Sequence, residues 1–170
     1  MSRAKHIRFL GTAEGQGNAR ALLQQLGDAS IDHRGVPRAL VMRCPDGCGQ
    51  MLSVNLDPRS GRAWRLYGQG DSLTLYPSVW REDGCEAHFI VWKGHIIWCD
   101  GKSTIDWNDQ VLIDRVGQVL AAASPRPVNF ADVALQLNEI PWEVLWACQS
   151  LVRARIAQRR GNAEFYVPSP

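Results

Sequence analysis

Gly84-Cys85-Glu86-Ala87-His88-Phe89-Ile90-Val91-Trp92-Lys93-Gly94-His95-Ile96-Ile97-Trp98-Cys99 decides how the N-terminal part of this chain is built. Two runs of β-branched and aromatic residues flank Lys93-Gly94, a pair suited to a two-residue hairpin turn. Such a turn sets Trp92 against His95. Counting outward places His88 opposite Cys99, with both side chains on one face. A small antiparallel sheet carrying thiols and imidazoles is therefore the expected scaffold.

Working outward, Ile7-Arg8-Phe9-Leu10 and residues 39–42 read as strands, the second running straight into Cys44. Residues 51–56 and 63–67 are β-formers separated by the turn Asp57-Pro58-Arg59-Ser60-Gly61. Residues 73–76 form another strand, stopped by Pro77. A helix is expected over 18–26, with Ala19, Leu22, Leu23 and Leu26 on one stripe and Gly27 as its stop. Gly15-Gln16-Gly17 ahead of it lacks the third glycine and the βαβ setting of a phosphate loop, and reads as a turn.

The texture changes at Asp100-Gly101-Lys102-Ser103. Beyond it, helical periodicity predicts helices over 109–122, 130–137 and 141–156, with Asn129 as an N-cap and Pro141 in a first turn. A hairpin over 157–160 and 164–167 follows. The expected fold is α+β: a small β-rich zinc-stabilised domain, residues 1–103, followed by a winged-helix-like helical domain, residues 104–170.

Across its 170 residues the chain is 45% hydrophobic and 21% charged, ordinary values for a globular protein. No apolar run approaches the ~18 residues of a membrane span, and the basic N-terminus is not followed by the apolar core of a secretory signal. Five cysteines in that setting read as reduced thiols or metal ligands of a cytoplasmic protein. A net charge of +2 is too small to imply nucleic acid. In residues 104–170 six arginines face seven carboxylates, and the third helix leads with Trp142-Glu143-Val144-Leu145-Trp146. An apolar and acidic leading end opposes DNA binding and favours a protein-contact role.

Cys44-Pro45-Asp46-Gly47-Cys48 and Cys85-Glu86-Ala87-His88 offer thiols and an imidazole in two tight clusters. Zinc takes four N or S ligands tetrahedrally, and each cluster can span one edge of that shell. The expected metal ligands are Cys44, Cys48, Cys85 and His88, with Cys99 or Asp46 as alternatives for the fourth position. If either alternative closes the shell, His88 is left for acid–base work. Cys148 falls on an apolar helical stripe and reads as core. His33 and His95 read as surface residues. Trp64, Trp80, Trp92 and Trp98 are expected in the sheet core, with one or two lining a groove for an extended peptide tail.

These motifs, joined by Thr74-Leu75-Tyr76-Pro77-Ser78-Val79-Trp80-Arg81, make residues 36–100 similar to the BubE-like family of bacterial ubiquitin-like conjugation operons. Members commonly carry Cys-Pro-Cys-Gly-Cys-Gly at the first cluster. Asp46 departs from that pattern and raises the demand on His88 or Cys99. The resemblance implies partners among a ubiquitin-like protein and its E1-like and E2-like enzymes. It also implies a deubiquitinase-like serine peptidase that processes or removes the modifier, with Ser78 at the Pro-Ser position and His88 as base. Asp71, Asp83 and Asp100 are candidates to orient that histidine. The competing expectation is a non-enzymatic zinc-stabilised adaptor that docks conjugation enzymes.

Overall fold

The computed structural model describes residues 3–100 and 108–168. The chain divides into two compact units, Met1–Thr104 and Ile105–Pro170. The boundary expected between residues 103 and 104 lies outside the described residues.

The first unit contains two four-stranded sheets. One has the order β1 (Arg8–Glu14), β2 (Asp28–Arg34), β3 (Val36–Arg43), β4 (Met51–Asn55). Its first pair is parallel, joined through the short helix α1 (Gln16–Ala21), and the other pairs are antiparallel. The other sheet is an antiparallel meander of β5 (Arg65–Tyr67), β6 (Thr74–Trp80), β7 (His88–Trp92) and β8 (His95–Trp98). One apolar cluster draws on both sheets: Leu40, Met42 and Val54 from the first, Leu75, Phe89 and Val91 from the second. Phe89 is fully buried, a placement that contributes about 1.5–3 kcal/mol by hydrophobic transfer.

The β7–β8 hairpin has the expected register, with Trp92 opposite His95 and Phe89 opposite Trp98. The Cys99 N–H donates to the His88 carbonyl at 3.0 Å. Lys93 and Gly94 both take positive φ, 47° and 76°, as a type I′ turn requires. Gly94 is obligatory for a second reason: a Cβ there would stand 1.9 Å from the Asp71 carbonyl oxygen.

Three strand and helix expectations change. Strand β6 does not stop at Pro77 but continues to Trp80. It passes the proline through a bulge, which spares the ladder a missing N–H. Helix α1 ends at Ala21, and Leu22 and Leu26 are 39% and 37% exposed instead of completing an apolar stripe. Strand β2 was not anticipated, because Asp28, Ser30 and Asp32 occupy buried positions that an amphipathic pattern gives to apolar residues.

The second unit runs α2 (Gln110–Ala123), β9 (Val128–Asn129), α3 (Phe130–Leu137), α4 (Pro141–Arg153), β10 (Gln158–Arg160), β11 (Glu164–Tyr166). Asn129 caps α3, its side chain accepting from Ala131 N at 2.9 Å. Asn138 ends that helix in the left-handed region. Helix α4 stops at Arg153, before the expected Ile156, which is 53% exposed. Strand β11 lies between β10 and β9, so the expected terminal hairpin has a third strand. Leu112, Val116, Leu120, Val133, Val144 and Cys148 are buried along the three helices. Burial pushes the Cys148 thiol up to about 12, as an inert core cysteine requires.

Candidate active site and metal centre

Ser78 owes its position to the β6 bulge. Leu75 pairs with Val91 and Val79 with Phe89, so Tyr76, Pro77 and Ser78 together face the single residue Ile90. Extra residues of this kind bend a strand and re-aim a side chain. Past the bulge, regular pairing resumes with Trp80 opposite His88. Ser78 lies two residues before Trp80, on the same face and diagonal to His88. The Ser78 Oγ and His88 Nε2 atoms are 3.0 Å apart, a hydrogen bond.

The two side chains are held from several directions. Ala87 and Phe89, on either side of His88, are buried and anchor its backbone. Trp64 Nε1 donates to the Ser78 carbonyl at 3.2 Å. Trp80 stacks on the imidazole, with ring centroids 5.6 Å apart and planes 30° apart. Both Ser78 and His88 remain half-buried, so the pair is accessible from solvent.

The metal-binding residue types also converge. Cys44, Cys48 and Cys85 place their sulfur atoms within 4.8 Å of one another, and Cys44 and Cys85 sulfurs are 3.6 Å apart. Cys44 and Cys48 flank the loop after β3, and Cys85 precedes β7, so the group joins the ends of two sheets. Arg81 Nη1 points at the Cys48 and Cys85 sulfurs, at 3.6 and 3.5 Å. Burial, followed by the neighbouring thiols, pushes Cys44 up to about 12. Burial also opposes ionisation of Cys48. There the Gln50 N–H, the other two thiols and the Arg81 charge prevail, and its pKa falls below the ordinary thiol value.

The remaining predicted residues lie elsewhere. The group of three includes none of His88, Cys99 and Asp46. His88 turns Nε2 to Ser78, and Asp46 accepts from Arg3 Nε at 2.9 Å. Cys99 is exposed, its pKa raised by partial burial of the sulfur and then by Asp100. Each carboxylate considered for orienting His88 is engaged elsewhere: Asp71 with Phe9 N, Asp83 with Arg81, Asp100 with Arg3. A cavity of about 340 Å³, lined by Phe9, Ile31, Leu66 and Leu73 among others, includes no predicted site residue.

Sequence reasoning missed Trp80 as a neighbour of the imidazole and Arg81 as a partner of the thiols. Strand periodicity carries both: positions 78 and 80 share one face, and Arg81 begins the turn that ends at Cys85.

A hydroxyl hydrogen-bonded to an imidazole offers the residue types of nucleophilic serine chemistry, and three clustered thiols offer those of a soft-metal site. Residues 19–99 match the family described as bacterial ubiquitination-like system serine protease (BubE), and over that stretch the chain is similar to it. No curated protein and no solved structure matches the chain. Among the described residues, no helix is long and apolar enough to cross a membrane.

Proposed function

We propose that this protein is a serine peptidase of a bacterial ubiquitin-like pathway, with Ser78 as nucleophile and His88 as general base. The observation that carries this reading is the 3.0 Å approach of Ser78 Oγ to His88 Nε2 at a strand bulge, within the span that matches the protease family. With His88 neutral, the Ser78 hydroxyl donates to Nε2 and passes it the proton as Oγ attacks the substrate carbonyl carbon. Collapse of the tetrahedral intermediate breaks the C–N bond, and His88 gives the proton to the departing amine. Water then attacks the acyl-serine ester, again losing a proton to His88. The carboxylate product leaves and Ser78 recovers its hydrogen. The family description, a serine protease of a ubiquitination-like system, supports a ubiquitin-like protein as the acyl donor.

Three clustered sulfurs fit a thiophilic metal, so Cys44, Cys48 and Cys85 would hold zinc. The ion's contribution would be structural: it would tie the loop after β3 to Cys85, three residues before His88 and the start of β7. That leaves the imidazole to the serine. In the second unit, the order α2-β9-α3-α4-β10-β11 supports a winged-helix-like module. Trp142 and Trp146 of α4 are each 7% exposed, so the helix leads with buried indoles, which favours protein contact over base readout.

The test is incubation with a ubiquitin-like precursor of a bacterial ubiquitination-like system, using wild type and Ser78→Ala. Cleavage by wild type that falls at least about 10³-fold in the variant is expected. No cleavage by wild type, or undiminished cleavage by the variant, overturns the assignment.

A further inference from the structure

Strand β6 has two neighbours only as far as Tyr76. Strand β5 pairs Tyr67, Leu66 and Arg65 with Thr74, Leu75 and Tyr76, and ends there. The chain on that side then turns away, with Trp64 N donating to Asn55 O on β4. From Ser78 to Trp80, β6 is paired with β7 alone among the described residues.

The direction of the backbone groups on this stretch follows from two hydrogen bonds. Arg81 N donates to Ala87 O at 2.9 Å, so position 81 faces β7. Backbone groups of successive strand residues point to alternate sides, so Trp80 N–H and C=O point away from β7. The Ser78 carbonyl shares that direction, since Trp64 Nε1 reaches it from the β5 side. Trp80 and His88 thus form a pair without mutual backbone bonds, the closer of the two pair types, and this explains their stacked rings.

An open edge is ordinarily blunted by a charge, a proline or a bulge. Here Pro77, the bulge and the Trp64 indole on the Ser78 carbonyl protect the edge as far as Ser78. The next outward-facing position carries an indole that is 61% exposed. An exposed tryptophan on an unpaired edge, two residues from a nucleophile, suits a surface that is covered during function. The occupant must supply backbone donors and acceptors in strand geometry and bring a carbonyl carbon to Ser78. An extended peptide does both.

We propose that the β6 edge at Trp80, two residues beyond Ser78, is the substrate site, and that it takes the scissile segment as an added β-strand. Trp80 N–H donates to a peptide carbonyl, and Trp80 C=O accepts a peptide N–H. The indole forms the floor on which the adjoining peptide side chain lies. This inference rests on the serine-peptidase reading and adds the substrate class: a polypeptide segment unfolded at the bond cleaved, recognised first through its backbone.

The test compares Ser78 labelling by a bare alkyl fluorophosphonate with labelling by peptidyl diphenyl phosphonates of one to four residues. The full chain loaded with zinc is used. The rate should rise at least about tenfold as the peptide lengthens, relative to the bare reagent. N-methylation of the peptide amides, one at a time, should cancel that gain at alternate positions only. Trp80→Pro, which removes the outward N–H, should lose about tenfold against Trp80→Ala with the peptidyl reagent and match it with the bare one. Labelling by the bare reagent with no gain on peptide extension, or with no alternation under N-methylation, overturns the edge while leaving the nucleophile. Failure of the bare reagent to label Ser78 overturns the nucleophile, and the edge assignment falls with it.

Discussion

In the second unit the described residues are held by buried apolar side chains, Leu112, Val116 and Leu120 on α2, Val133 on α3, and Val144 and Leu151 on α4, with α4 packed against both other helices. In residues 1–104 short strands share one apolar cluster, but polar connections gather at the places where chain segments must meet. Asp28 is fully buried and accepts from Arg8, Gln24 N and Gln25 N. Asp57 is 3% exposed and takes Arg38 and Arg59 together. Three sulfurs converge where two sheets end. Apolar stripes make a scaffold that needs no chemistry, whereas convergent polar groups make one from which a nucleophile and a base can be aimed.

The sharpest way to break this comparison is His88→Ala. It should lower kcat by about 10²–10⁴-fold, the range for loss of a general base, while metal analysis still finds zinc with the protein. Loss of metal together with activity would return His88 to the ligand shell. Next in size is the metal itself. Zinc stripped by a chelator, or Cys85→Ser, should cost the first unit on the order of 10 kcal/mol of ordering free energy by the scale of structural zinc sites. Hydrogen exchange should show the loss in β6–β8, with the amides of α2 and α4 still protected. Equal loss in both units would erase the contrast.

Asp28→Ala strands the Gln24 and Gln25 N–H groups and should destabilise the first unit by about 2–3 kcal/mol in urea melts. The pH dependence has a definite sign. Burial raises the Asp28 pKa, but Arg8 and the two backbone donors outweigh it, and the net value is lowered. Its contribution is therefore complete above the unfolded carboxylate pKa and is lost as pH falls through the lower folded value. The Asp28→Ala protein should lose that part of the acid sensitivity. The smallest effect belongs to the second unit, where Asn129→Ala removes one cap and should cost about 1 kcal/mol without altering Ser78 labelling.

The same contrast explains what was legible in the sequence. Helix α3 falls on the residues its periodicity and cap predict, and α2 is shifted by a single residue, because one stripe of apolar side chains determines both. The β7–β8 register is legible for an equally local reason, a two-residue turn that fixes every pair beyond it. Strand β2 hides its pattern under Asp28, Ser30 and Asp32, polar residues at positions buried only once β1 and β3 pair on either side. Likewise, Pro77 reads locally as a stop, and only the pairing of β6 with β7 turns it into the bulge that presents Ser78. Spacing alone grouped Cys44, Cys48 and Cys85. It could not allot His88 between sulfur cluster and serine, since that depends on the strand carrying Ser78 lying beside β7.

Mass-mapped labelling with a fluorophosphonate reaches the central pairing most directly. The account predicts a covalent adduct on the peptide containing Ser78, absent from Ser78→Ala and formed at least about a hundredfold more slowly in zinc-loaded His88→Ala. No adduct on wild type, or an adduct on some other residue, would contradict it.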